Sequence, residues 1–249
     1  MSFLIYKRIL GVDILDIDRE SAIELLLGKY KKREVTNIFF VNAHSLNIAC
    51  KDASYRDVLG GGTVLCDGLG VEIASRWIYG SGFRDNLNGT DFIPNFLAKS
   101  NEPLRLYLLG GENGIAQRAA TRIRELFPLH QVVGMHHGFL MDVSIKALLY
   151  AINDANPDVL LVAMGNPLQE KWIIENRNDL SVPLAIGVGA LFDFFSGKVE
   201  RAPKAIRTLR GEWIWRLIQE PRRLFSRYLF GNPLFLYRVI RYRQNSPLS

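Results

Sequence analysis

Cysteine is scarce in this chain. Cys50 and Cys66 are the only two among 249 residues, and their spacing matches no metal-ligand set. Dinucleotide and phosphate-loop signatures are missing too. "GGENG" and "GVGALFDFFSG" both fail the G-x-G-x-x-G spacing, and "LLGGENG" lacks the acidic residue about 20 positions later that would close a second strand. G-x-x-x-x-G-K-[ST] is absent, which argues against P-loop phosphoryl transfer. No apolar run reaches the roughly 18 to 20 residues that span a bilayer, because "PLAIGVGALFDFF" is interrupted by glycines and by Asp193. The start "MSFLIYKRILGV" lacks the long apolar core and cleavage site of a signal peptide, so a cytoplasmic protein is expected.

Apolar residues make up 48% and charged residues 22%, a mixture that supports a sizeable folded core. Charge is unevenly spread. Residues 201–249 hold eleven Arg or Lys against two acids, Glu212 and Glu220, a balance of +9; with +6 overall, residues 1–200 carry −3. In the same tail Trp213, Trp215, Phe225, Tyr228, Phe230, Phe235, Tyr237 and Tyr242 interleave with the arginines. This predicts a core over 1–200 and a helical appendage over 201–249, with helices broken at Pro221 and Pro233. Such an appendage suits an anionic lipid interface, specifically the inner face of the cytoplasmic membrane. Nucleic-acid binding, which also favours Arg and aromatics, is disfavoured because no nucleic-acid motif accompanies the patch. A homo-oligomer is compatible with the sequence.

Apolar runs alternate with helical periods. Strands are predicted at "GVDILD", "NIFFVN", "TVLCD", "LRLYLLG", "QVVGMHH", "DVLLVAMG" and "PLAIGVG", and helices near 19–31, 43–59, 69–80, 90–99, 113–127, 143–155, 168–177 and 203–219. Strands rich in Val, Leu and Ile without polar alternation belong in a parallel sheet covered on both faces, a doubly wound α/β fold. Five strands run out into "NAHS", "CDGLG", "LLGGENG", "AMGNP" and "GVGALFD". Loops of this type line the crevice at the carboxyl ends of an open sheet, where helix N-termini favour phosphate oxygens. "DID" at 16–18 mimics a metal-binding Asp-x-Asp, but Asp18 reads as an N-cap before "RESAIELLL", so no metal and no cofactor are expected.

The blocks "NAHSLNIACKD", "CDGLGV", "NGTDFIP", "LYLLGGENGIAQRAA", "PDVLLVAMGNPLQEKWI" and "AIGVGALFDFFSGKVERAPKAIRTLRGEWIWRLIQEPRRLFSRYL" stand in the order and spacing of the WecG/TagA/CpsF glycosyltransferases. The chain resembles that family over roughly residues 10 to 235. The resemblance implies a Rossmann-like domain with a C-terminal appendage. It also implies inverting transfer of a hexose-type sugar from a UDP-sugar to a polyprenyl-diphosphate-linked sugar in surface-polymer synthesis. A non-catalytic nucleotide-sugar sensor using the same crevice is the alternative.

Under that resemblance Asp67 of "CDG" takes the general-base role, with capping of the following helix as its competing use. Asn42 matches the family asparagine near the sugar, whereas Phe40 stands where some members have threonine; His44 or Ser45 is a candidate for the missing contact. Asn86 replaces a basic residue often found three before "GTD", with Arg84 nearby. Gly68, Gly89, Thr90, Asp91, Gly110, Gly111, Gly165, Asn166, Gly187 and Gly189 are expected around the substrates. Gln169 is the expected partner of sugar hydroxyls, and Glu170 a stabiliser of the helix dipole. Asp193 is a candidate partner for ribose or uracil. Arg201 and Lys204 are expected to meet the departing diphosphate, and Arg216, Arg222, Arg223 and Arg227 the membrane or a diphosphate.

Overall fold

A computed structural model of the chain describes residues 4–203, 206 and 211–245. Its centre is an eight-stranded sheet in the order β1-β2-β4-β3-β8-β7-β5-β6. The strands are β1 (Tyr6–Ile9), β2 (Val12–Leu15), β3 (Thr36–Val41), β4 (Thr63–Cys66), β5 (Arg105–Gly110), β6 (Gln131–His136), β7 (Val159–Ala163) and β8 (Leu184–Gly187). All neighbours pair parallel except β1 and β2, which form an antiparallel hairpin at one edge. The hairpin adds a strand that the apolar-run reading misses. β1 is short and polar on one side, with Tyr6 and Arg8 exposed while Lys7 and Ile9 are buried.

The helices before the tail are α1 (Arg19–Lys31), α2 (Ala43–Ala49), α3 (Ala53–Gly60), α4 (Leu69–Tyr79), α5 (Gly89–Lys99), α6 (Ile115–Leu126), α7 (Ile145–Asp154), α8 (Leu168–Glu175) and α9 (Leu191–Phe195). Local signals set their ends. Asp18 caps α1 by accepting from Ser21 N at 2.9 Å, as expected, and Asn88 caps α5 by accepting from Asp91 N at 2.9 Å. The helix expected over 43–59 is two helices. Asp52 accepts from Tyr55 N and starts α3 as a separate element, a competing cap inside an otherwise helical period.

Because side chains alternate across each strand, the sheet buries one cluster on each face. Phe39, Val41, Leu109 and Leu160 point to the face covered by α2, α3, α4, α7 and α8. Ile38, Phe40, Leu106 and Ile186 point to the face covered by α1, α5, α6 and α9. This is the expected doubly wound, Rossmann-like α/β fold.

The tail continues as α10 (Glu212–Gln219), α11 (Pro221–Leu229) and α12 (Gly231–Asn245). Pro221 does start a new helix, as its missing N–H allows. The expected break at Pro233 does not occur: it sits in the first turn of α12, where an intrahelical donor is not required, and the junction falls at Phe230 instead. The tail is joined to the core at both ends of its described helices. Trp215 Nε1 and Gln219 Nε2 donate to the Glu200 carbonyl at 3.2 and 2.9 Å. Asn47 Nδ2 donates to Gly231 O at 2.7 Å, and Arg238 Nη1 returns a bond to Asn47 Oδ1 at 2.7 Å. Phe235 and Val239 are wholly buried in the same cluster as α2 and α4. Phe235, grouped by sequence with the interface aromatics, is therefore a core residue: α12 turns it onto α4 beside Gly70.

Candidate active site

The chain leaves β3 toward β4 on one side, while β8 pairs with β3 on the other, so the strand order reverses at β3 and opens a crevice above the carboxyl ends. Asp67 follows β4 directly, held by its own N–H donating to Val41 O at 2.9 Å. Its carboxylate does not cap α4. The cap position is Gly68, in the left-handed region at φ +100°, with no side-chain cap bond. That removes the competing use of Asp67 and leaves its carboxylate to the crevice.

Four groups bear on it. Asn42 Nδ2 donates to Asp67 Oδ2 at 3.5 Å, and Arg227 Nη2 from α11 donates to Asn42 Oδ1 at 3.2 Å. Asn42 Oδ1 also accepts from His44 N and Ser45 N, so one side chain caps α2 and faces the carboxylate. Burial raises the Asp67 pKa above the ordinary carboxylate value. The Asn42 amide and the charges of Arg227 and Arg216 pull it back, and Asp91 adds to the rise. His44 is pushed down to about 4 by burial and by Arg227, so it is neutral near pH 7. Asn86, in place of the family's basic residue, accepts from Gly68 N at 2.7 Å and so fixes the turn beside Asp67, while Arg84 is exposed.

Asp91 at the start of α5 goes the other way. Burial opposes its ionisation, but the Asn88 amide, the bonded Arg201 guanidinium and Arg19 outweigh it and hold the carboxyl low. Arg201 therefore bridges the segment after α9 to the first turn of α5. Thr90 Oγ1 donates to Asn88 Oδ1 at 2.7 Å. Gly89 is buried against the Phe40 ring, which lies in the core 5.7 Å from Phe92. The strand's alternation turns Phe40 away from the face that holds α2, where His44 and Ser45 stand.

On the other half of the crevice the structure differs from expectation. Gln169 is 2% exposed and its amide is engaged at both ends. Its Oε1 accepts from Gly165 N at 3.2 Å and Gly189 N at 2.9 Å, and its Nε2 donates to Glu170 Oε1 at 2.7 Å. Asn166 Nδ2 also donates to Glu170 Oε1, at 2.6 Å, and Tyr55 OH donates to Glu170 Oε2 at 3.2 Å. Glu170 is fully buried, not a surface helix-dipole residue, and its carboxyl is pushed up to about 7, burial outweighing three donors. Gln169 thus holds the two loops rather than presenting its amide to the crevice, while half-buried Asn166 gives its Nδ2 to the same carboxylate. Gly187 makes room for Gln169: a Cβ there would lie 3.0 Å from Nε2. Glu170 and Tyr55 were not legible as site residues. "QE" in the long block was a signal for the first; Tyr55, about 115 positions away, had none.

The glycines of the two tied loops, Gly165 at φ +77° and Gly189 at φ +56°, have open space where a Cβ would be. Gly110 and Gly111 bring the β5 loop against Ala163, too close for any side chain at Gly110. Asp193 is half-buried in the first turn of α9. Arg216 lies over the Phe194 ring at 5.4 Å and pairs with Glu220 at 3.4 Å; Arg222 is exposed. Lys204 and the side chain of Arg223 lie outside the described residues. Among the described residues no three His, Cys, Asp or Glu gather to hold a metal ion, and no helix is long and apolar enough to cross a membrane.

The model of the glycosyl transferase WecG/TagA/CpsF family matches residues 7–248. A Bacillus subtilis (strain 168) protein named N-acetylglucosaminyldiphosphoundecaprenol N-acetyl-beta-D-mannosaminyltransferase is 32% identical over 207 residues, 82% of this chain and 79% of that protein. A Staphylococcus aureus (strain MW2) protein of the same name is 26% identical over 235 residues, 93% of this chain and 91% of its own.

Proposed function

Because the chain belongs to the glycosyl transferase WecG/TagA/CpsF family, we propose that it moves a hexose-type sugar from a UDP-sugar to a sugar carried on polyprenyl diphosphate, inverting the anomeric carbon without a metal ion. The observation that carries this reading is the uncapped Asp67 carboxylate at the open end of β4, raised by burial and flanked by Asn42. The names of the relatives support the acceptor class, a sugar on a diphosphate-linked polyprenol. The donor's UDP rests on the family resemblance and on the glycine loops after β5, β7 and β8.

The chemistry is one displacement. An acceptor hydroxyl oxygen attacks the anomeric carbon, its proton passes to an Asp67 oxygen, and the bond from that carbon to the diphosphate oxygen breaks with its electron pair leaving on UDP. A raised pKa suits Asp67 to take that proton near neutral pH. The glycine loops after β5, β7 and β8 let the diphosphate approach the backbone closely, and the leaving charge is met by Arg201 and by tail arginines such as Arg227. Gln169 and Glu170 act as positioning residues for the two tied loops, and Asp193 is the candidate partner of the ribose or uracil. One attack without a covalent intermediate inverts configuration.

The tail supports docking at the inner face of the cytoplasmic membrane. Trp213, Ile218, Phe225, Leu229 and Phe230 are exposed on α10, α11 and the junction after it, among arginines that include Arg222. Exposed apolar side chains amid basic ones fit an anionic lipid surface. The same arginine-bearing helices reach Asn42, so docking and closure of the crevice are linked in one element.

The test measures UDP release from a panel of UDP-sugars, with a polyprenyl-diphosphate-linked sugar as acceptor, with and without EDTA. Turnover with at least one donor that survives EDTA supports the reading. UDP-sugar binding with no turnover returns the sensor alternative, and loss of turnover in EDTA overturns the metal-free step.

A further inference from the structure

α4 starts two residues after Asp67 and presents Leu69, Ile73 and Trp77, four apart, along one face; Leu69 is 38% and Trp77 37% exposed, and Ile73 is half-buried. α12 packs beside it, with Phe235 against Gly70 near the crevice and Val239 buried further along. Leu236 and Ile240 of α12 follow at the same four-residue spacing, half-buried and exposed. The seam between the helices is thus a furrow with apolar walls. It runs about 12 Å from Leu69 to Trp77 at the helical rise of about 1.5 Å per residue. At its far end Trp77, Val239, Ile240, Arg243 and Gln244 line a half-open hollow of about 480 Å³, within the range of small-ligand pockets. None of these lining residues is acidic.

The geometry points to this furrow as the seat of the acceptor's isoprenoid chain, a site that selects acceptors by their lipid. The inference rests on the proposed acceptor class. With the reacting hydroxyl at Asp67, a sugar and a diphosphate separate the chemistry from the lipid. The diphosphate then lies near Arg227 and Arg216, and the first isoprene units enter the seam. A branched, flexible hydrocarbon fits a shallow apolar track that a sugar or nucleotide would leave unsatisfied. The rest of the isoprenoid chain stays in the bilayer, where Phe225 and Leu229 of α11 are exposed.

The experiment compares two acceptors that carry the same sugar diphosphate, one on a long polyprenyl chain and one on a short water-soluble alkyl group. Trp77→Ser and Ile240→Ser, both exposed positions, are made in the full chain. The ratio of kcat/KM for the long acceptor over the short one falls about tenfold in each, the loss expected for one large apolar contact, while flotation on anionic vesicles stays at the wild-type level. An unchanged ratio overturns the proposal. So does a loss of flotation in step with the ratio, which would make these residues bilayer contacts. A readout that needs no turnover is labelling of the wild-type chain by a polyprenyl diphosphate with a photoreactive chain. Crosslinks within 69–79 and 236–244 support the furrow, and crosslinks confined to 213–230 overturn it. If the wild-type chain turns over neither acceptor with any donor, the proposed reaction fails, and the labelling decides the furrow independently.

Discussion

Two carboxyl groups bracket the crevice, and burial raises both, yet they stand in opposite relations to solvent. Asp67, on the β4 side, keeps a solvent-accessible face and has one long bond from a neutral amide, with cations acting at a distance. Glu170, on the β7–β8 side, is sealed and takes three donors, two from its own loop and helix start and one from distant Tyr55. A group poised to change its proton needs few fixed partners and an open side. A group that holds a shape needs all its acceptor sites occupied. The same pKa direction therefore belongs to the proposed base in one half and to a fastener in the other.

The comparison breaks most sharply at Asp67. Asp67→Asn keeps the shape and removes the base, so kcat falls by about 10² or more while UDP affinity stays near wild type. Full activity in a folded Asp67→Asn protein, measured by UDP release beside calorimetric UDP titration, would end the assignment.

The opposite pattern is expected at Glu170. Glu170→Leu strands the donors of Asn166, Gln169 and Tyr55 and costs about 3 kcal/mol of stability. It also lets the Gly165 and Gly189 loops separate, so UDP binds about tenfold more weakly. Glu170→Gln, able to accept from Asn166 and Gln169 through its oxygen, recovers most of the UDP affinity. Denaturant melts and UDP titrations on the three proteins measure both effects.

Acidity sharpens the contrast further. A carboxyl whose folded pKa of about 7 exceeds its unfolded value near 4.5 binds more protons when folded. Its contribution therefore favours the fold at low pH and is lost as pH rises from about 4.5 through 7. Stability of the wild type relative to Glu170→Gln should decline across that window by an amount on the order of 2 kcal/mol, readable from paired melts at pH 5 and 8. A flat difference would mean that Glu170 keeps one charge state throughout.

The smallest expected effect is at Arg227. Removing its charge in Arg227→Ala lets the Asp67 pKa rise further, so the acid limb of the pH–rate profile moves to higher pH. His44, relieved of the same charge, moves up from about 4. The rate change at pH 8 is a few-fold. An acid limb that stays in place in Arg227→Ala would detach the tail from the carboxylate.

The core strands, the doubly wound class and the crevice at the carboxyl ends were legible because they follow from runs of Val, Leu and Ile and from glycine punctuation, both local signals. Asp67 was legible as the end of an apolar run followed by glycine, and the long motif blocks carried the family. Three features were not. Capping by Asp52 split one helical period into two helices, a choice made by a single side chain against the periodicity. Gln169 and Glu170 read as exposed polar residues at a helix start, and only the meeting of α3, α8 and the loops after β7 and β8 turned them inward. Phe235 read as an interface aromatic until α12 packed on α4.

The sequence by itself determined which segments become strands and helices and where charge is concentrated, since both depend on neighbours within a few positions. Only the tertiary structure decided which polar groups are consumed by other groups and which remain for substrates. Hydrogen-bond satisfaction is settled between residues such as Tyr55 and Glu170, or Asn42 and Arg227, that lie far apart in the chain and meet only when the sheet closes around them.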